Sequence, residues 1–267
     1  MKLPQDAAKH LLGVGEDSTK NYFRMLRIAT AFAELHTSRE MQFGDGTLEI
    51  DSTAGVIKRS GSKKLNTHMG RFVVVVHRET GQYALEVLQD KDVLKGAPPP
   101  PETYEEVKAI ADKKFHGGHI ASSDSAQAIK KVFKRRDDVF HVTVIHKKKN
   151  WSHVVRIPMK YLSKRIRKRV AKMPTTTKHR YRMKSGDQLA ENVFSVVKRN
   201  VVRMNLKGRT QTASLNFLSA SWLAKHPGLE GVAEAVRIYQ NTMRDCSDPK
   251  QIFKSTDWLR ALEPLDP

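Results

Sequence analysis

The run Arg71-Phe-Val-Val-Val-Val-His-Arg78 constrains this chain more than any other stretch. Its five apolar residues, Phe72 to Val76, are strand-sized, and β-branched side chains favour pleated backbone. Two companions flank it. Thr47 to Asp51 (TLEID) and Gln82 to Leu88 (QYALEVL) also read as strands, bounded by Gly and polar residues. Glu79-Thr80-Gly81 supplies a hairpin turn between the second and third strands.

Beyond Lys95-Gly-Ala-Pro-Pro-Pro-Pro, an extended spacer, the period changes repeatedly. Glu102 to Lys114 is helical, His119 to Ser123 a short strand, Ala126 to Arg136 a helix and Val139 to Ile145 a strand. Pro158 to Met173 and Glu191 to Leu206 then read as helices. Three strands followed by alternating helices and strands is a mixed α/β layout. Residues 5–12 form a short helix, Gly13-Val14-Gly15 a turn, and a second helix starts at Glu16-Asp17-Ser18. That outline fits a helix-turn-helix reader and a plain helical hairpin equally. Three parts result: a helical segment over 1–42, an α/β domain over 43–210 and a helical tail over 211–267. No internal repeat is apparent.

Charge narrows the function. Lys and Arg number 48 against 28 Asp and Glu, a formal charge of +20, which asks for a polyanion, nucleic acid before an acidic membrane surface. Between Lys147 and Lys184 there are 15 Lys or Arg and no acid. Within this stretch Met159, Leu162, Ile166, Val170 and Met173 follow helical spacing, opposite Lys160, Lys164, Arg165, Arg167, Lys168 and Arg169. Such a helix, with Lys147, Lys148 and Lys149 before it, reads as a track for a phosphate backbone. Trp151 and Tyr161 suit either base stacking or core packing. Cys246 is the single cysteine, which excludes an intrachain disulfide framework and a Cys-rich zinc ribbon. The start, MKLPQDAAKHLL, lacks the apolar core of a signal peptide, and no stretch approaches the length of a membrane span. The 11 histidines form no ligand-spaced pair, so His116, His119, His141 and His153 read as polar core or phosphate contacts. Phosphate-loop and Ser or Cys nucleophile motifs are missing.

Three acids sit at telling places. Asp51 closes the first strand, Asp124 closes a later one and Glu191 opens a helix, at separations of 73 and 67 residues. Each alone is an ordinary turn or cap residue. Together, carboxylates at neighbouring strand ends with a third from a helix suit hard divalent ions such as Mg²⁺, which take oxygen ligands. Two such ions can drive in-line phosphoryl transfer.

The stretches TLEIDST (47–53), HIASSDSAQAI (119–129), VFHVTVIHKKK (139–149) and AENVFSVVKRNV (190–201) occur in that order. They resemble the motif blocks of DDE transposases, nearest to the Merlin superfamily of DNA transposons and its bacterial insertion-sequence relatives, over roughly residues 45–205. The resemblance implies a ribonuclease-H-like core with a D-D-E triad at Asp51, Asp124 and Glu191, holding two Mg²⁺ or Mn²⁺ ions. It also implies a Lys-Arg pair after the third acid, here Lys198 and Arg199, and a His ending the last core strand, here His146. Ser195 and Lys198 lie four and seven residues beyond Glu191, on its face of the helix. Asp51-Ser52 stands where the family has two successive acids, and the family's zinc ribbon has no counterpart. The implied activity is DNA cleavage and strand transfer, with transposon ends and target DNA as partners and a homodimer or larger assembly on them. The rival is a non-catalytic, domesticated DNA-binding protein on the same scaffold; a basic RNA-binding protein is a third reading. The expected location is the nucleus in a eukaryote and the cytoplasm or nucleoid otherwise.

Overall fold

The computed structural model describes residues 15–59, 66–94, 97–124, 126–144, 154–162, 164–172, 181–184, 186–203 and 212–245. Helix α1 (Glu16–Glu40) leads into strands β1 (Thr47–Arg59), β2 (Asn66–His77) and β3 (Tyr83–Leu94). Helix α2 (Tyr104–Lys114), β4 (Ile120–Ser123), α3 (Gln127–Lys134) and β5 (Phe140–Thr143) follow. Next come β6 (Val154–Ile157), a 3-10 turn at Met159–Tyr161, α4 (Lys164–Ala171) and β7 (Tyr181–Lys184). Helices α5 (Gln188–Arg203), α6 (Thr212–Lys225) and α7 (Gly228–Asp245) complete the described chain. The expected helix over 5–12 and the tail beyond residue 245 lie outside the described residues.

Five strands form one mixed sheet in the order β3-β2-β1-β4-β5. β1 and β3 pair antiparallel with β2, while β4 runs parallel to both β1 and β5. The valine run is β2's centre, and alternate side chains leave it in opposite directions. Val73 and Val75 join Leu48, Ile50, Val107, Ile110 and Ile129 beneath α2 and α3. Phe72, Val74 and Val76 join Leu35, Phe194, Leu215 and Leu218 beneath α1, α5 and α6. Helices therefore cover both faces, and α7 packs outside, with Ala235 beside Ala33 and Trp222. Gly81 turns the β2–β3 hairpin at φ +72, a left-handed backbone that favours glycine. Thr103 and Glu106 cap α2 reciprocally, and Arg71, 2% exposed, forks onto Glu106 at 2.8 and 2.9 Å, tying that helix to β2.

Two expectations change. The helix expected over 158–173 is interrupted: the chain makes a 3-10 turn at Met159–Tyr161, Leu162 is extended (φ −83, ψ 139), and α4 begins at Lys164. Leu162 is drawn into a patch with Ile120, Val142 and Ile157, which continuous helix would not allow. The antiparallel pair β6–β7, unexpected from the sequence, brackets this segment. The first strand also continues past Asp51 to Arg59, paired with β2 apart from a bulge between Val56 and Lys58.

Candidate active site

Asp51 lies inside β1, at the point where the parallel pairing with β4 stops: Ile50 faces Ser123 in the last paired position. Asp124 is the next residue of the neighbouring strand, so the two acids emerge side by side. Both occupy the alternate positions that face α5, opposite in parity to Ile50 and Ala121, which enter the α2–α3 core. Asp124 Oδ1 also accepts from the Ala126 amide at 2.8 Å, which fixes the turn into α3. Helix α5 brings Glu191 in its first turn, and Asp187 immediately precedes the helix.

The electrostatics tie these groups together. The Asp51 carboxyl is pushed up to about 7, chiefly by burial and further by the negative charges of Asp124, Asp187 and Glu191. The Ser52 amide, donating to Asp51 Oδ1 at 2.7 Å, opposes this only in part. Asp124, Asp187 and Glu191, from two other chain segments, thus lie within electrostatic reach of Asp51. Asp187, only 1% exposed, is the member that spacing along the sequence does not single out. Its place ahead of α5, where it reads as an ordinary helix cap, gives no separate signal.

Lys198 leaves α5 two turns beyond Glu191 and donates to Thr53 Oγ1 at 2.6 Å, over the same face of β1. Arg199 is exposed on the adjoining helix surface. In the basic segment, the side chains of Arg156, Lys160, Lys164, Arg167, Lys168 and Lys172 are all exposed. Arg165 and Arg169 are carried by the same helix, α4. The ribbon beneath them docks on the β4–β5 edge through Ile157 and Leu162, on the α5 side of the sheet. Tyr161 packs its ring on Phe140 at 5.2 Å. Lys147, Lys148, Lys149, His146, Trp151 and His153 lie outside the described residues.

The remaining histidines serve structure. His119 is buried, donating from Nε2 to the Gly44 carbonyl at 2.9 Å and accepting at Nδ1 from the His116 amide at 3.1 Å. His141 Nε2 meets Ser123 Oγ at 2.9 Å, on the opposite face from the acids.

Hard oxygen donors from Asp51, Asp124, Asp187 and Glu191 suit Mg²⁺ or Mn²⁺ in chemistry, and clustered negative charge is what a divalent cation relieves. Among the described residues, no group of three or more His, Cys, Asp or Glu side chains stands close enough together to hold a metal ion as placed. No helix among them is long and apolar enough to cross a membrane. No family model matches the chain, and no curated protein matches it.

Proposed function

We propose that this chain cleaves and joins DNA by metal-assisted phosphoryl transfer, as DDE transposases do, on a ribonuclease-H-like core. The observation that carries the reading is that Asp51, at the edge of the parallel pairing, lies within electrostatic reach of Asp124, Asp187 and Glu191. Strand order 3-2-1-4-5, with the first three strands antiparallel and the last two parallel to the first, supports the ribonuclease-H-like assignment.

In this reading Asp51, Asp124 and Glu191, with Asp187 beside them, hold two Mg²⁺ or Mn²⁺ ions. Bound ions would activate water or a 3′-hydroxyl and stabilise the leaving oxygen. The protein contributes placement. Adjacent strands set the spacing of Asp51 and Asp124, α5 sets the height of Glu191, and Lys198 faces the side from which a phosphate oxygen would approach. The exposed cations of α4 and the residues before it carry the flanking duplex without reading its sequence. Assembly on paired DNA ends, as a dimer or larger complex, accompanies the transposase reading.

The test uses the full chain with nicked and inverted-repeat DNA, with and without Mg²⁺ or Mn²⁺. Metal-dependent cleavage or joining that falls by a factor on the order of 10³ or more in Asp124→Asn is expected, the scale of losing transition-state charge stabilisation. Tight DNA binding with no product under either ion would instead identify a non-catalytic DNA-binding protein on this scaffold.

A further inference from the structure

One pleat repeat before Asp51 and Asp124, about 6.7 Å along their strands, the same sheet face carries Glu49 and Ser122, themselves register partners. Neither points at the acids' surroundings as an open group. Glu49 is 1% exposed, and its two carboxylate oxygens have separate tasks. Oε2 accepts from the backbone amides of Leu189 (2.8 Å) and Ala190 (3.1 Å), in the first turn of α5. Oε1 accepts from Arg78 Nη2 (2.6 Å) and Nε (2.8 Å). Arg78 Nη2 also donates to the Gly186 carbonyl at 2.8 Å. That same carbonyl accepts from Ser122 Oγ at 2.7 Å, while the Gly186 amide donates back to Ser122 Oγ at 3.3 Å.

These hydrogen bonds grip the chain at Gly186, Leu189 and Ala190, the residues that flank Asp187 and Glu191. We infer that Glu49, Arg78 and Ser122 are positioning residues, a clamp that sets the height of Glu191 and Asp187 over Asp51 and Asp124 and thereby tunes divalent-ion affinity. A buried carboxylate at a helix N-terminus satisfies amides that the helix cannot and is favoured by the helix dipole. Arg78 cancels its charge locally, so Glu49 supports the acidic cluster without adding a further uncompensated negative charge. A sub-ångström shift of α5 would misplace oxygen donors for Mg²⁺, an ion that demands near-ideal octahedral geometry, more than for ions with looser demands.

The inference rests on the phosphoryl-transfer reading, and the experiment separates the two. Full-length wild type, Glu49→Gln and Ser122→Ala are compared by amide hydrogen exchange at Leu189 and Ala190, by calorimetric Mg²⁺ titration, by DNA affinity and by cleavage. The variants are expected to exchange faster at those amides, to weaken Mg²⁺ binding about tenfold or more, and to keep DNA affinity within about twofold. Saturating Mn²⁺ is expected to recover most of the cleavage rate. Should Glu49→Gln fail to fold, Ser122→Ala, which removes a single hydroxyl, decides alone. Folded variants with faster exchange and unchanged Mg²⁺ affinity overturn the inference, leaving the clamp as a fold element, and unchanged exchange overturns it as well. A wild type that binds Mg²⁺ but cleaves no DNA sinks the functional reading while the affinity change still upholds the clamp. A wild type that binds no Mg²⁺ overturns both.

Discussion

His119 has both ring nitrogens committed, one donating to Gly44 and one accepting from His116, so its buried ring is held neutral. Burial and the tilted His116 ring, its centroid 3.7 Å away, lower its pKa from 6.5 to about 4. Lowering a histidine's pKa in the fold means that the unfolded chain takes up the proton first as pH falls. Stability contributed by neutral His119 is therefore intact above about pH 6.5 and is lost progressively between 6.5 and about 4. The loss is expected to reach about 1–3 kcal/mol, since displacing a pKa tenfold in acidity corresponds to about 1.4 kcal/mol. Urea unfolding of wild type and His119→Asn across pH 4–7 checks it; the variant's profile should be flatter by that amount. At this scale the sequence was legible wherever a residue's role depends on its own strand or helix. Asp51, Asp124 and Glu191 stood out because the local pattern put each at a strand end or helix start, although Asp51 lies inside β1 and Glu191 one turn into α5. Glu49 and Asp187 could not, because their roles depend on a helix far along the chain, Glu49 reaching Leu189 140 positions away, and on burial behind it. Local spacing carries no trace of either.

Helix α4 shows the same limit for elements. Of its cations, set opposite Leu162 in the sequence pattern, Lys164, Arg167 and Lys168 are exposed, and the helix that carries them begins only at Lys164. Met159 and Leu162 fit helical spacing and yet pack as a turn, because a short apolar stripe cannot distinguish a continuous helix from a turn docked on a sheet edge. Strands β6 and β7 are four residues each, within a segment dominated by cations, so alternation had too little length to register. The functional consequence of α4 is measurable. With Lys164, Arg165, Arg167, Lys168 and Arg169 all changed to Gln, duplex affinity is expected to fall for every sequence alike. The slope of log affinity against log salt should flatten by about 0.9 for each phosphate that is no longer neutralised. Anchoring by Ile157 and Leu162 leaves the fold intact. An unchanged slope in fluorescence titrations from low to high salt would place the DNA path elsewhere.

Across the whole molecule, the alternation of strands and helices in the sequence foretold a mixed α/β architecture, while the integration of its ends was not legible. Helices α1 and α6, read as parts of a leading segment and a tail, cover one face of the central sheet with α5, and α7 packs outside them. Phe217 of α6 stacks on Phe72 of β2 with ring centroids 4.0 Å apart, and Thr30 of α1 meets Ser219 of α6 at 2.8 Å. The second of these joins residues 189 positions apart, beyond the reach of any local pattern. Burying a large apolar side chain is worth about 1.5–3 kcal/mol. Leu215, Phe217, Leu218 and Trp222 together thus rival the whole stability of a domain, about 5–15 kcal/mol. A chain stopped after residue 206 is expected to lose its cooperative thermal transition and bind a hydrophobic dye; a sharp transition by circular dichroism would show the tail to be an appendage.

The basic ribbon leaves and rejoins the sheet at neighbouring residues. Val144 is hydrogen-bonded to the Ser123 carbonyl at 2.9 Å, and Gly186 is held by Ser122. The described residues 154–162, 164–172 and 181–184 therefore lie between two exits that share one anchor. Provided an inserted segment keeps an apolar foot for the patch around Ile120 and Val142, its length and charge can change without moving Asp124 or Glu191. If the chain works as proposed, the part that holds DNA could thus be exchanged like a tool head while the part that cuts it stays in place.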